Sequence, residues 1–223
     1  MSRTLARLIA LLVVTVVAVG AGIGPAMAAE GDYSRVPKPK LTQKPFRGIT
    51  LITVGDRVVC TGFVVGVNKV ATAAHCLVRN AAAGDYRLKP GLPARVRVYR
   101  GFSQATGGSA YRACGVSRVW AHAKFVKGGR ADKVTGSEAH DYAVLTTKCR
   151  FPKNAILRIW ATENGDGSLT SGQKIRTAGY PADGRFGLMN GLNMFRTEGR
   201  VRPAAFDPRY LRFTGFVASG MSG

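Results

Sequence analysis

Short apolar runs, broken by glycine, proline or polar residues, fill the chain from residue 49 onward. The first is 49–54 (ITLITV). Residues 58–67 (VVCTGFVVGV) and 70–73 (VATA) follow, on either side of a turn at Asn68-Lys69. Both runs are rich in β-branched residues, so together they predict a β-hairpin whose second strand ends in Thr72-Ala73-Ala74-His75-Cys76. Residues 94–99 (ARVRVY) alternate apolar side chains with arginine, the period-two pattern of a half-exposed strand. Runs at 111–121 and 142–147 complete six. A second group begins after Pro152, at 156–161, 174–179, 193–202 and 210–217. Beyond the first 28 residues no run has convincing helical periodicity. Six closely spaced strands followed by four predict an all-β chain of barrels or sandwiches. Residues 151–153 read as the crossing between a first β domain over 48–150 and a second over 151–223.

The opening of the chain follows a different pattern. Arg3 and Arg7 precede an uncharged apolar stretch, and Ala26-Met27-Ala28 fits an A-x-A cleavage site, so residues 1–28 read as a secretion signal. The apolar stretch is long enough for an uncleaved anchor, but Gly20, Gly22, Gly24 and Pro25 interrupt it. With cleavage, the expectation is a secreted, extracellular protein with no stable membrane insertion. Residues 29–47, with Pro37, Pro39 and interspersed lysines, read as an extended N-terminal arm or short propeptide.

Charge narrows the choice of partners. The chain carries 33 Lys and Arg against 12 Asp and Glu, a net charge of +21, and 46% of its residues are hydrophobic. That hydrophobic content supports a packed core rather than disorder. The excess of cations favours weak electrostatic binding to anionic polymers or surfaces. The basic residues are spread thinly from Arg35 to Arg212, with no basic helix and no interleaving of basic and aromatic residues, so no specific nucleic-acid partner is expected. Export favours disulfides, and four cysteines (Cys60, Cys76, Cys114 and Cys149) allow three pairings. No C-x-x-C pair occurs and the three histidines lack ligand spacing, so neither metal nor cofactor is expected.

Three short motifs carry candidate chemistry. Acyl transfer by a hydroxyl needs a base, a carboxylate that fixes the base's tautomer, and N–H donors for the developing oxyanion. His75, Asp141 in His-Asp-Tyr-Ala-Val-Leu, and Ser222 in Gly220-Met221-Ser222-Gly223 supply base, carboxylate and nucleophile in that order. The backbone N–H groups of Gly220 and Ser222 would form the oxyanion hole. A lone histidine is more often structural than catalytic, and a lone G-x-S-G occurs by chance in many loops. All three motifs in order on an exported all-β chain are far more specific. His122 and His140 read as surface or packing residues, His140 because alternation along a strand turns it away from the face that Asp141 uses. Asp132, Asp166 and Asp183 read as turn residues.

With these residues the chain resembles the trypsin/chymotrypsin-fold serine proteases, and among them the secreted bacterial branch that includes glutamyl endopeptidases. The matching stretches are Cys60-Thr61-Gly62-Phe63, Thr72-Ala73-Ala74-His75-Cys76, Asp141-Tyr142-Ala143-Val144-Leu145, Gly179-Tyr180-Pro181-Ala182-Asp183 and Gly220-Met221-Ser222-Gly223. The resemblance implies a chymotrypsin-like pair of antiparallel six-stranded β-barrels with the site in the cleft between them. It also implies a monomeric endopeptidase acting on polypeptide substrates, and a Cys60–Cys76 disulfide. Cys114 with Cys149 then follows by elimination.

The chain departs from that family in three ways. Family members continue past the serine with two more strands, so the resemblance implies a shortened copy, with the second barrel incomplete and activity of the 223-residue chain itself doubtful. Met221 replaces the aspartate that receives a freed N-terminus in trypsin-like zymogens, which rules out activation through that ion pair. Phe216, six residues before the serine, gives an apolar pocket floor that disfavours lysine or arginine in the substrate. The alternative function is a catalytically inactive protein of the same fold that binds polyanions or cell wall through its basic surface.

Overall fold

The computed structural model describes residues 33–55, 57–80, 85–127, 140–158, 172–182, 191–203 and 211–213. Fourteen strands occur among them: β1 (Tyr33–Arg35), β2 (Ile49–Val54), β3 (Arg57–Gly66), β4 (Lys69–Thr72), β5 (Val78–Asn80), β6 (Asp85–Leu88), β7 (Val96–Arg100), β8 (Phe102–Ser103), β9 (Gly108–Ser109), β10 (Cys114–Ala121), β11 (Ala143–Thr147), β12 (Lys174–Gly179), β13 (Phe195–Pro203) and β14 (Leu211–Phe213). Six of them close an antiparallel barrel in the order β10-β11-β4-β3-β2-β7. These are the six strands of the first apolar group. The two described α-helices, α1 (Lys38–Leu41) and α2 (Ala123–Lys127), are each little more than one turn.

Strand β2 shows how pattern becomes packing. All six of its residues are buried, because both of its edges are paired, to β3 and β7, and both of its faces are covered. Ile52 and Val54 point into the barrel with Val64, Val70, Val96, Val98, Val116 and Leu145. Ile49 and Leu51 face the other way, into a second cluster with Val36, Leu41, Tyr180 and Met194. A strand covered on both faces has no reason to alternate, which explains the unbroken run ITLITV. Strand β11 has one face in the core and alternates instead, with Ala143, Leu145 and Thr147 buried.

The second sheet runs β1-β13-β12, with β14 also paired to β13. Strands β12, β13 and β14 fall within 151–223, the stretch expected to form the second barrel, and β1 joins them from the expected arm. Strand β12 covers 174–179 as the pattern predicts, and the run at 193–202 becomes strand from Phe195. Of the run at 210–217 only 211–213 is described. The described part of 156–161, residues 156–158, is not strand.

The described part of the expected arm is packed against this sheet. Tyr33–Arg35 pairs with β13, the Val36 N–H donates to the Met194 carbonyl at 2.8 Å, and Val36 and Leu41 are each 1% exposed. Two isolated apolar residues among prolines and lysines are too sparse to register as a periodic pattern, yet they are enough to anchor the segment. Tyr180 joins the two units: its N–H donates to Thr61 Oγ1 at 2.9 Å, and its buried hydroxyl accepts from the Phe102 N–H at 3.0 Å. Burial pushes that phenol well above its ordinary range. The Ser103 hydroxyl donates to Asn193 Oδ1 at 2.9 Å, a second tie between barrel and sheet.

Candidate active site

His75 sits in a one-turn 3-10 helix, Ala74–Leu77, that follows β4 directly. The turn is fixed from several sides. Ala74, Cys76 and Leu77 are buried, and the Thr72 hydroxyl just before it donates to the Thr61 carbonyl at 2.8 Å. The Cys60–Cys76 disulfide ties the turn to β3 across a Cα–Cα distance of 6.0 Å. The Lys89 ammonium donates to the Cys76 carbonyl at 2.8 Å, and the Lys89 N–H to the Leu77 carbonyl at 2.9 Å. A second disulfide joins Cys114 to Cys149. Sequence reasoning missed both Thr72 and Lys89 as supports of the site. Thr72 lies within the histidine motif, whereas no local pattern marks Lys89, whose role depends on the chain folding back from β6.

Strand register brings Asp141 to His75. Ala143 of β11 pairs with Thr72 of β4, so the residues just before Ala143 run alongside those just after Thr72. Asp141 uses both carboxylate oxygens there. Oδ1 accepts the His75 main-chain N–H at 2.8 Å, and Oδ2 lies 2.6 Å from His75 Nδ1. The two side chains are 35% and 23% exposed, so the pair is open to a substrate on one side yet partly desolvated. Burial alone would raise the Asp141 carboxyl. The hydrogen bonds from the His75 ring and main chain, the His75 charge and the Ala74 N–H outweigh it and hold the group below its ordinary value. An ionised Asp141 accepts from Nδ1–H, which leaves the Nε2 lone pair as the basic position of the ring.

Ser222, Gly220 and Phe216 lie outside the described residues, as do Asp132, Asp166 and Asp183. The other two histidines stack on each other with ring centroids 4.3 Å apart, beside Trp120 and Tyr142. His122 Nδ1 accepts the Lys124 N–H at 3.2 Å. Partial burial, then the neighbouring His122 and Lys124, lower the His140 imidazole from its ordinary value. His140 therefore adjoins Asp141 in sequence while its ring belongs to a separate aromatic cluster. Ligand atoms of Cys60, His75 and Cys76 lie within 4.8 Å of one another. The two sulfurs are bonded to each other, which removes the thiolates a metal would need.

The family model of the trypsin-like peptidase domain matches residues 60–223, well over half of the chain, and the chain belongs to that family. Among solved structures, a Glu endopeptidase in complex with MPD is 23% identical, with a TM-score of 0.57 over 86% of this chain and 77% of that one. The secreted serine protease VesC from Vibrio cholerae is 16% identical, with a TM-score of 0.52 over 77% of this chain and 31% of that one. At these identities the likeness establishes the chymotrypsin-like all-β fold. No curated protein matches the chain by sequence.

Proposed function

We propose that the protein is a secreted serine endopeptidase that hydrolyses peptide bonds through an acyl-enzyme. Ser222 is the nucleophile, His75 the general base and Asp141 the carboxylate that orients it. The observation that carries this reading is the double engagement of Asp141 by His75, through the ring at 2.6 Å and the main chain at 2.8 Å. A structural histidine has no need of two bonds to one carboxylate, whereas a base that must present Nε2 in a fixed direction does.

The chemistry follows from that orientation. Nε2 takes the Ser222 hydroxyl proton as Oγ bonds to the substrate carbonyl carbon, and the carbonyl oxygen's new charge is held by the Gly220 and Ser222 N–H groups. The imidazolium, stabilised by the ionised Asp141, passes that proton to the departing amine as the peptide C–N bond breaks. Water then attacks the acyl-enzyme by the same route, its proton taken by Nε2 and returned to Ser222 Oγ. Phe216 at the floor of the pocket disfavours basic residues at the cleaved position. In this reading residues 1–28 direct export, 48–150 form the first barrel and 151–223 the second.

Turnover of a blocked peptide ester by the native protein tests the proposal. Activity lost in both Ser222→Ala and His75→Ala, with both variants folded, is the expected result. Undiminished turnover in either variant would overturn it.

A further inference from the structure

Strand β13, FRTEGRVRP, alternates strictly from Phe195 to Val201: Phe195, Thr197, Gly199 and Val201 share one face, and Arg196, Glu198, Arg200 and Arg202 share the other. Thr197 and Val201 are 1% and 2% exposed, so the charged face is the outer one. The register of β12 adds to it. Lys174 lies opposite Arg200 and Arg176 opposite Glu198, while Ala178 opposite Arg196 contributes no charge. Five cations thus share one face with a single acid, Glu198, among the described residues. The sequence separates them into two clusters some twenty residues apart, which is why they read as dispersed along the chain.

Glu198 cannot neutralise this face. It bridges Lys174 at 2.7 Å and Arg176 at 2.6 Å, and both cations remain largely solvent-exposed at 63% and 74%. Arg196 is braced by Ser34 Oγ at 3.0 Å, and Arg200 by the Gly172 carbonyl at 2.8 Å. Both of those acceptors are neutral, so they hold the guanidinium groups in place without reducing their charge. Same-face neighbours are about 6.6 Å apart along a strand and about 4.8 Å apart across strands, a spacing that lets a flexible chain of anions meet several cations at once. Single-stranded nucleic acid is held largely by bases stacking on aromatic side chains, and this face presents none among its described residues.

We infer that the outer face of β12 and β13 is a docking surface for a linear polyol-phosphate polymer, an anionic polymer of phosphodiesters without bases. None of these residues belongs to the proposed catalytic set, so docking on an anionic matrix and peptide-bond cleavage can be tested apart.

Binding of a glycerol-phosphate polymer to the native protein, followed across a salt series, tests this. Arg176→Gln with Arg202→Gln should weaken binding about tenfold at low salt and flatten its salt dependence by about one unit of slope for each phosphate no longer neutralised. Arg97→Gln with Arg118→Gln removes the same charge from the first barrel and should change binding less than about threefold, an effect of net charge alone. Equal weakening by the two pairs, or no binding at low salt, would overturn the inference. So would tighter binding of an oligodeoxythymidine with the same number of phosphates. Turnover of a peptide ester by the β12–β13 variant should equal that of the parent, which keeps this outcome separate from that of the protease reading.

Discussion

Replacing Asp141 by asparagine separates the orienting role of the carboxylate from simple space filling. The aspartate accepts twice, from the His75 main-chain N–H through Oδ1 and from the ring through Oδ2. Asparagine has one oxygen and one NH2 at those positions. If the NH2 faces the main-chain N–H, two donors oppose each other in a half-buried site, at a cost of about 1–3 kcal/mol. The side chain therefore settles with its oxygen on the main-chain N–H and its NH2 donating to Nδ1. That arrangement places the ring proton on Nε2, where it blocks acceptance of the Ser222 proton. The expected loss in kcat is about 10⁴-fold, the magnitude seen when a triad base is held in the wrong tautomer. At about 1.36 kcal/mol per decade this amounts to about 5 kcal/mol of transition-state stabilisation. The KM for a peptide ester should change little, since neither group binds the substrate's remote parts. Steady-state kinetics on Asp141→Asn, with circular dichroism to confirm folding, makes the test. A folded variant that keeps kcat within about tenfold of the parent would refute the reasoning.

Other predictions follow from the frame around the site. Leu145 is fully buried in the barrel, and Leu145→Ala should cost about 2–5 kcal/mol; for a chain of this size that is about 2–4 °C in thermal midpoint per kcal/mol, so an unchanged midpoint would contradict the packing. A Cβ on Gly62 would meet Ile52 Cδ1 at 2.7 Å and the Ala71 carbonyl at 2.9 Å, so Gly62→Ala should destabilise by about 1–3 kcal/mol in a denaturant titration. Replacing Cys60 and Cys76 together by alanine frees a sequence separation of 16, which should cost about 3 kcal/mol and lower kcat by loosening the His75 turn. In acid, Asp85 is held down to about 2 by its hydrogen bonds from Arg87, and Asp141 is held below its ordinary value despite its burial. Both carboxyls bind protons less readily folded than unfolded, so the stability they contribute is present above the ordinary carboxylate range and is lost as the pH falls through each group's lowered value, about 2 for Asp85. Asp141→Asn should flatten that part of the stability profile, as read by urea titration at a series of pH values.

The six barrel strands were legible because each carries its own local signal. Alternation marks β7, β-branched runs bounded by turns mark β2, β3 and β4, and short apolar runs mark β10 and β11. What sequence could not supply was the cover over each face. The unbroken run of β2 conceals that Ile52 and Val54 serve one core while Ile49 and Leu51 serve another. Strand β1 has three residues with no periodicity to detect, and only its pairing with β13 makes it a strand. The neighbourhood of His75 and Asp141 follows from register, Ala143 opposite Thr72, which the motifs imply only through family resemblance. Lys89 reaches the Cys76 carbonyl from another part of the chain and leaves no sequence trace. The cationic face on β12 and β13 was invisible for the same reason: its residues become neighbours only when two separated strands pair.

The proposed mechanism stands or falls on Ser222 being a hydroxyl activated by His75. The most direct measurement is reaction of the native protein with a fluorophosphonate, followed by peptide mapping of the adduct by mass spectrometry. One adduct is expected, on Ser222, formed far more slowly in His75→Ala and absent in Ser222→Ala. An adduct on another residue, or undiminished labelling without His75, would contradict it.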